Sequence, residues 1–231
     1  ADTRRLYLGT PLLTLYTARP GQEIARSEPY NPRMPPNTTS AAERYDRTTA
    51  FMEGRYLRHS RAWLLPRATG RTLEVASGTG QNFAYYQPGV VVTGLEHSID
   101  LLRGSLGRAE AAAVPVRLLL GDAMGLPFPD GYFDSVVCTF ALCGIPDRHQ
   151  ALREMRRVLK PGGSLLLADH IGSTNVLIRL LQYILEAFTI PLQGEHFTRR
   201  SLPLLEKLPV EVVQSSRTSY GVLEAIEARK L

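Results

Sequence analysis

Between Arg71 and His170 the chain alternates short Val/Leu-rich runs with stretches of helical pattern, and this alternation restricts the fold more than any other feature. The runs RTLEVA, VVVTGLE, VRLLLGD, FDSVVCTF and SLLLADH have strand length. They are apolar almost throughout, the pattern of strands covered on both faces. Between them, SIDLLRGSLGRAEAAA and DRHQALREMRRVL read as helices, and in the second Ala151, Leu152, Met155, Val158 and Leu159 share one face. Such alternation implies an α/β fold with a doubly wound, mostly parallel sheet. VEVVQSS and SYGVLEAIEARK are expected to close it as a hairpin. With 231 residues, 44% of them hydrophobic, there is chain enough for one sizeable core and too little for two.

Residues 1–40 read as an arm or linker ahead of this unit, which then spans 41–231. The arm's apolar stretch, LYLGTPLLTLY, is interrupted by Gly9 and Pro11 and is far shorter than the roughly 20 residues of a spanning helix. From Ser40, a candidate N-cap with Glu43 three residues on, two short helices broken near Gly54 are expected. No signal-peptide pattern is visible, so a cytoplasmic location is expected, with peripheral membrane contact open. The formal charge of +5 comes from 27 Lys+Arg, but only Arg153, Arg156 and Arg157 cluster on one helix. Without a basic stripe interleaved with aromatics, nucleic acid is not the expected partner. Cys138 and Cys143 lack a second pair for a metal site and are expected as buried or site-lining thiols.

The first strand runs into the turn SGTG and then QNFAYY, the expected start of a helix. Glycines at a strand's carboxyl end let backbone approach a ligand closely. Gly78 and Gly80 are followed by Phe83 where a dinucleotide fingerprint wants a third glycine, and no phosphate-binding P-loop occurs. Glu74 is an acid inside an apolar strand, so a cation or hydrogen-bond donor should meet it. Glu96 closes the second strand, where an acid can accept from both hydroxyls of a ribose.

LEVASGTG, GLEHS, GDAMGLPFPDGYFDSVVCTFAL and ALREMRRVLKPGGSLLLADH together resemble the class I S-adenosylmethionine-dependent methyltransferases. The resemblance covers about Tyr45 to Lys230 and is nearest to the branch of quinone C-methyltransferases and phosphatidylethanolamine N-methyltransferases. It implies a seven-stranded sheet with an antiparallel last strand and S-adenosylmethionine as cofactor. It places Glu74 near the methionine ammonium, Gly78 and Gly80 in the turn, and Glu96 on the ribose with His97 beside it. Asp122 and Ala123 would face the adenine with Met124 as cover, and Cys138 and Thr139 would border the sulfonium. Tyr45 would close over the cofactor, and Asn82 lies in the same turn region. Ala76 replaces the first glycine of the family pattern, a substitution that fits if its φ is not positive. Glu74, Glu96 and Asp122 are therefore expected to line one cavity.

A sulfonium is already an activated methyl donor, so a base is needed only for a protonated acceptor. His170, ending the fifth strand, and His196, in QGEHFTRRSL, are the candidates; His149 reads as a surface residue at a helix start. CTFALC after the fourth strand differs from the N/D-P-P-Y/F sequence of enzymes that methylate nucleobase amines. A helical insertion on the acceptor side is expected at about 172–207, where Val176, Leu177, Leu180, Leu181, Ile184, Leu185 and Phe188 form an apolar stripe. Such a stripe is core, a pocket roof, a homodimer seam or a bilayer contact. The expected activity is methylation of a lipophilic small molecule: an amine or phospholipid headgroup, a quinone-like aromatic, or a thiol. The rivals are a non-catalytic cofactor-binding protein and a nicotinamide-dependent oxidoreductase.

Overall fold

The computed structural model describes residues 41–193 and 196–231, so the arm and its apolar stretch lie outside the described residues. Seven strands form one sheet: β1 (Arg71–Val75), β2 (Val91–Glu96), β3 (Val116–Leu120), β4 (Phe133–Thr139), β5 (Leu159–His170), β6 (Val210–Thr218) and β7 (Leu223–Lys230). Their order is β3-β2-β1-β4-β5-β7-β6. β1 to β5 pair in parallel, and β7 runs antiparallel between β5 and β6. The winding reverses between β1 and β4, which opens a crevice beyond the carboxyl ends of the central strands.

The continuous apolar runs are explained by two cores, one on each face of the sheet. Leu73, Val75, Val136 and Leu165 pack one way, with Leu152 and Met155 of the helix over Arg148–Val158. Val92, Val137 and Leu166 pack the other way, with Leu64, Leu65, Phe83 and Leu102. Adjacent Val136 and Val137 thus serve opposite layers, as the period of a strand requires.

The helices are α1 (Ala41–Met52), α2 (Arg58–Leu64), α3 (Ile99–Gly104), α4 (Leu106–Glu110), α5 (Arg148–Val158), α6 (Val176–Gln193) and α7 (Leu202–Leu205). Three local expectations need correction. The single helix expected over SIDLLRGSLGRAEAAA is two, α3 and α4, parted at Ser105, whereas the two short helices expected around Gly54 are α1 and α2, joined by a π-helical turn over Glu53–Leu57 that contains it. QNFAYY makes only a 3-10 turn, Phe83–Tyr85, because Tyr86 turns extended and sends its hydroxyl to Glu74. The KPGG segment lies within β5, accommodated by a register shift against β4 between Phe133 and Ser135. The caps follow sequence chemistry: Ser98 accepts from the Leu101 N–H at the start of α3, and Asp147 from the Gln150 N–H at the start of α5.

Candidate cofactor and acceptor site

A cavity of about 550 Å³ opens at the carboxyl ends of β2, β1, β4 and β5, roofed by α1 and the π turn. The volume lies within the usual range for small-molecule sites. Of the residues singled out in the sequence, Tyr45, Glu74, Ala76, Gly78, Asn82, Glu96, His97, Thr139, Cys143, His170 and Leu185 line it.

Glu74 sits at the floor, 1% exposed. The donors its burial demanded are present: Tyr86 donates its hydroxyl to Oε2 at 2.7 Å and Asn82 its amide to Oε1 at 3.0 Å. Burial pushes the Glu74 carboxyl up to about 7, against the opposing pull of these two hydrogen bonds and the nearby Arg61 guanidinium. Arg61, itself buried, donates to Asn82 Oδ1 and to Thr139 Oγ1 and is paired with Glu53 of the π turn. One buried network therefore ties the roof to the ends of β1 and β4.

Glu96, also buried, accepts from the Gly78 N–H at Oε2 and the Ser98 N–H at Oε1, both at 2.9 Å, and His97 Nδ1 lies 3.0 Å from that same Oε1. A second latch is made by Asp46 of α1, which accepts from Thr79 at 2.6 Å, Gln81 at 3.1 Å and Arg108 at 2.7 Å. Burial raises the Asp46 carboxyl, but these hydrogen bonds outweigh it and hold the group below the usual range.

Gly78 has φ +56, and a Cβ built there meets nothing within 4 Å, so its backbone is open to an approaching ligand. Gly80 has a different role. A Cβ on it would come within 2.5 Å of the Phe83 ring, so this glycine makes room for core packing rather than for ligand. The same contact explains why an aromatic replaces the third glycine of a dinucleotide reader. Ala76 has φ +55, contrary to the condition under which its methyl group was expected to fit freely. A left-handed alanine is strained by about 1–2 kcal/mol.

Six expected residues are placed differently. Asp122 is exposed and outside the cavity lining, its Oδ1 turned back to accept from the Met124 N–H. Ala123, packed in the core, and Met124 are also outside the lining, so two of the three acids, not all three, share the cavity. Cys138 points into the core beneath the sheet, Gly80 packs on Phe83, and His196 stands outside while its neighbour Phe197 lines the wall. Strand alternation accounts for Cys138: Thr139 takes the cavity side.

The β5 side of the cavity is apolar, with Phe140, Ile145, Leu185 and Phe197 around His170. The His170 ring contacts Phe140 and Phe197 at centroid distances of 5.6 and 5.4 Å. Burial lowers its pKa to about 4, so the imidazole is neutral near pH 7. Phe140, like Ala76, has φ +55, a second strained residue at the cavity rim. Cys143, Asp169 and His170 bring donor atoms within 4.8 Å of one another. Asp169 accepts from the backbone N–H groups of Cys143 at 2.9 Å and His170 at 2.8 Å, while His170 Nδ1 is buried with no hydrogen-bond partner among the described residues.

Sequence reasoning missed Arg61 and Tyr86. A signal for Arg61 was present: it shares the spacing of buried Leu57, Leu64 and Leu65, and an arginine on an apolar helix face needs a buried partner. Tyr86 had none, because its role depends on the chain leaving the 3-10 turn.

Residues 73–167 match the family described as "Methyltransferase domain". The demethylmenaquinone methyltransferase of Thermus thermophilus is 36% identical over 135 residues, 55% of this chain and 61% of that protein. The ubiquinone/menaquinone biosynthesis C-methyltransferase of Dinoroseobacter shibae is 37% identical over 140 residues, 57% and 56% of the two chains. The corresponding Paracoccus denitrificans protein is 34% identical over 166 residues, 67% and 65%. The chain thus spans less than two-thirds of the length of each of these relatives. Among solved structures, a SAM-dependent methyltransferase from Methanosarcina mazei superposes with TM-score 0.58 at 21% identity, covering 76% of this chain and 97% of that one. The [4+2]-cyclase SpnF superposes with TM-score 0.57 at 20% identity, covering 80% of each. Likenesses at that identity establish the fold, and a fold shared with a cyclase leaves the reaction to be argued from the site.

Proposed function

We propose that the chain is a class I, S-adenosylmethionine-dependent methyltransferase and that it methylates a lipophilic, ring-bearing small molecule of the quinone-like kind for which its relatives are named. The observation that carries this reading is the polarity of this cavity: two buried carboxylates at its β1–β2 side and an aromatic wall at its β4–β5 side.

S-adenosylmethionine, when bound, supplies a methyl group on a positively charged sulfur. The residues at the β1–β2 side fit such a cofactor. Glu74 offers a buried carboxylate to a cationic group, Gly78 gives backbone access, and Glu96, oriented by two N–H donors, offers its remaining lone pairs to a ribose diol. Asn82 and Arg61 fix the Thr139 hydroxyl at the boundary between the two sides. Phe140 and Phe197 exclude water and confine a flat acceptor, and alignment behind the methyl group is where most of the rate is gained. His170 enters as a neutral hydrogen-bond acceptor that orients an O–H or N–H of the substrate. Its low pKa makes it a weaker base than the sequence alone suggested.

The test is transfer of radiolabelled methyl to aromatic hydroquinone, amine, thiol and phospholipid acceptors. Label should accumulate in the hydroquinone arm, and His170→Ala should lower turnover about tenfold or more while cofactor affinity stays within about twofold. Label in no acceptor, or unchanged turnover in the variant, would remove the reading or His170's part in it.

A further inference from the structure

α6 is inverted relative to an ordinary surface helix. Its polar side chains face the protein: Glu186 is buried and accepts from both the N–H and the hydroxyl of Thr198. Gln182 accepts from the Ser173 N–H and donates to the Ile171 carbonyl. Its apolar side chains face outward, with Val176 66%, Leu177 78%, Leu180 57%, Leu181 64%, Ile184 53% and Leu185 47% exposed. These six positions of the sequence stripe are therefore on the surface and not in the core. No charged side chain interrupts this face.

We propose that the outward face of α6 lies in the interface of a lipid bilayer and delivers the acceptor from it. Two observations favour lipid over a second copy of the chain. At 100° per residue the exposed positions, with Tyr183 at 53%, cover roughly 200° of the helix circumference. That is wider than the seam through which two helices pack and suits a continuous apolar solvent. The face is also continuous with the cavity, since Leu185 is both exposed and part of the lining, beside Phe197. A lipophilic acceptor can pass from the acyl region into the aromatic wall without crossing water. No described helix is long and apolar enough to cross a membrane, so the helix lies along the surface. The delivery role rests on the proposed acceptor class; the docking itself does not.

The experiment is flotation of the full chain with phosphatidylcholine vesicles, with and without phosphatidylglycerol, in the absence of cofactor and acceptor. Binding to both compositions is expected, and the double variant Leu177→Glu, Leu181→Glu should reduce it about tenfold or more with an unchanged melting temperature. In parallel, Leu181→Trp should be quenched by brominated lipid. Failure to float, equal flotation of the double variant, or no quenching overturns the proposal. A vesicle-independent dimer that the same double variant dissolves assigns the face to a second copy instead. Because vesicle binding is read without methyl transfer, its failure is separate from failure of the proposed reaction.

Discussion

Ala76 is the residue where the local backbone and the side chain disagree most. Its φ of +55 suits glycine, and Ala76→Gly removes the strain while adding freedom to the unfolded chain. The net gain should be about 0.5–1 kcal/mol, read as a higher urea midpoint at constant m-value; a lower midpoint would show that the methyl group packs usefully. Glu74 gives a pH dependence. Its carboxyl is pushed up to about 7, so below that pH a proton occupies the site that a cationic cofactor needs. Cofactor affinity should therefore fall as pH drops from 8 to 6, with proton release on binding, and Glu74→Gln should abolish most of the dependence. Calorimetry in buffers of different ionisation enthalpy measures both. These two positions were legible as anomalies, an acid in a strand and an alanine at a glycine position. What the sequence could not give was the sign of φ at Ala76, which the turn geometry decides.

At the scale of elements, the strands and α5 were readable because burial on both faces and on one face leaves distinct periodicities. The π turn, the 3-10 turn after the glycines and the strand through KPGG were not, since each follows from a tertiary contact: Arg61 with Glu53, Tyr86 with Glu74, and β5 with β4. The direction of α6 is a further case. Periodicity defines an apolar face but not whether the protein or its surroundings cover it. The latch from α1 to the glycine turn provides the prediction at this scale. Asp46 is partly solvent-exposed, so Asp46→Ala should cost only about 1 kcal/mol of stability. It should nonetheless weaken cofactor binding by several-fold or more, because α1 roofs the cavity. Limited proteolysis within α1 should accelerate correspondingly; an unaltered cleavage rate with unaltered affinity would mean the latch is incidental.

For the whole molecule, the sheet order and the reversal between β1 and β4 place the crevice, and this much followed from the alternating pattern and the resemblance. The composition of the cavity followed less completely. Glu74 and Glu96 converge in it, whereas Asp122 caps its own turn and Cys138 joins the core. A cofactor that binds the folded chain stabilises it by about 2.7 kcal/mol at a concentration one hundred times its dissociation constant. In a chain of 231 residues that raises the melting temperature by roughly 5–10 °C. The most direct measurement is isothermal titration of the full chain with S-adenosylmethionine, S-adenosylhomocysteine and NAD, repeated for Glu74→Gln and Gly78→Val. Both sulfur nucleosides should bind one per chain, NAD should not, and each substitution should weaken binding about tenfold or more. Absence of binding by either sulfur nucleoside, or equal binding by both variants, would contradict the assignment of this cavity.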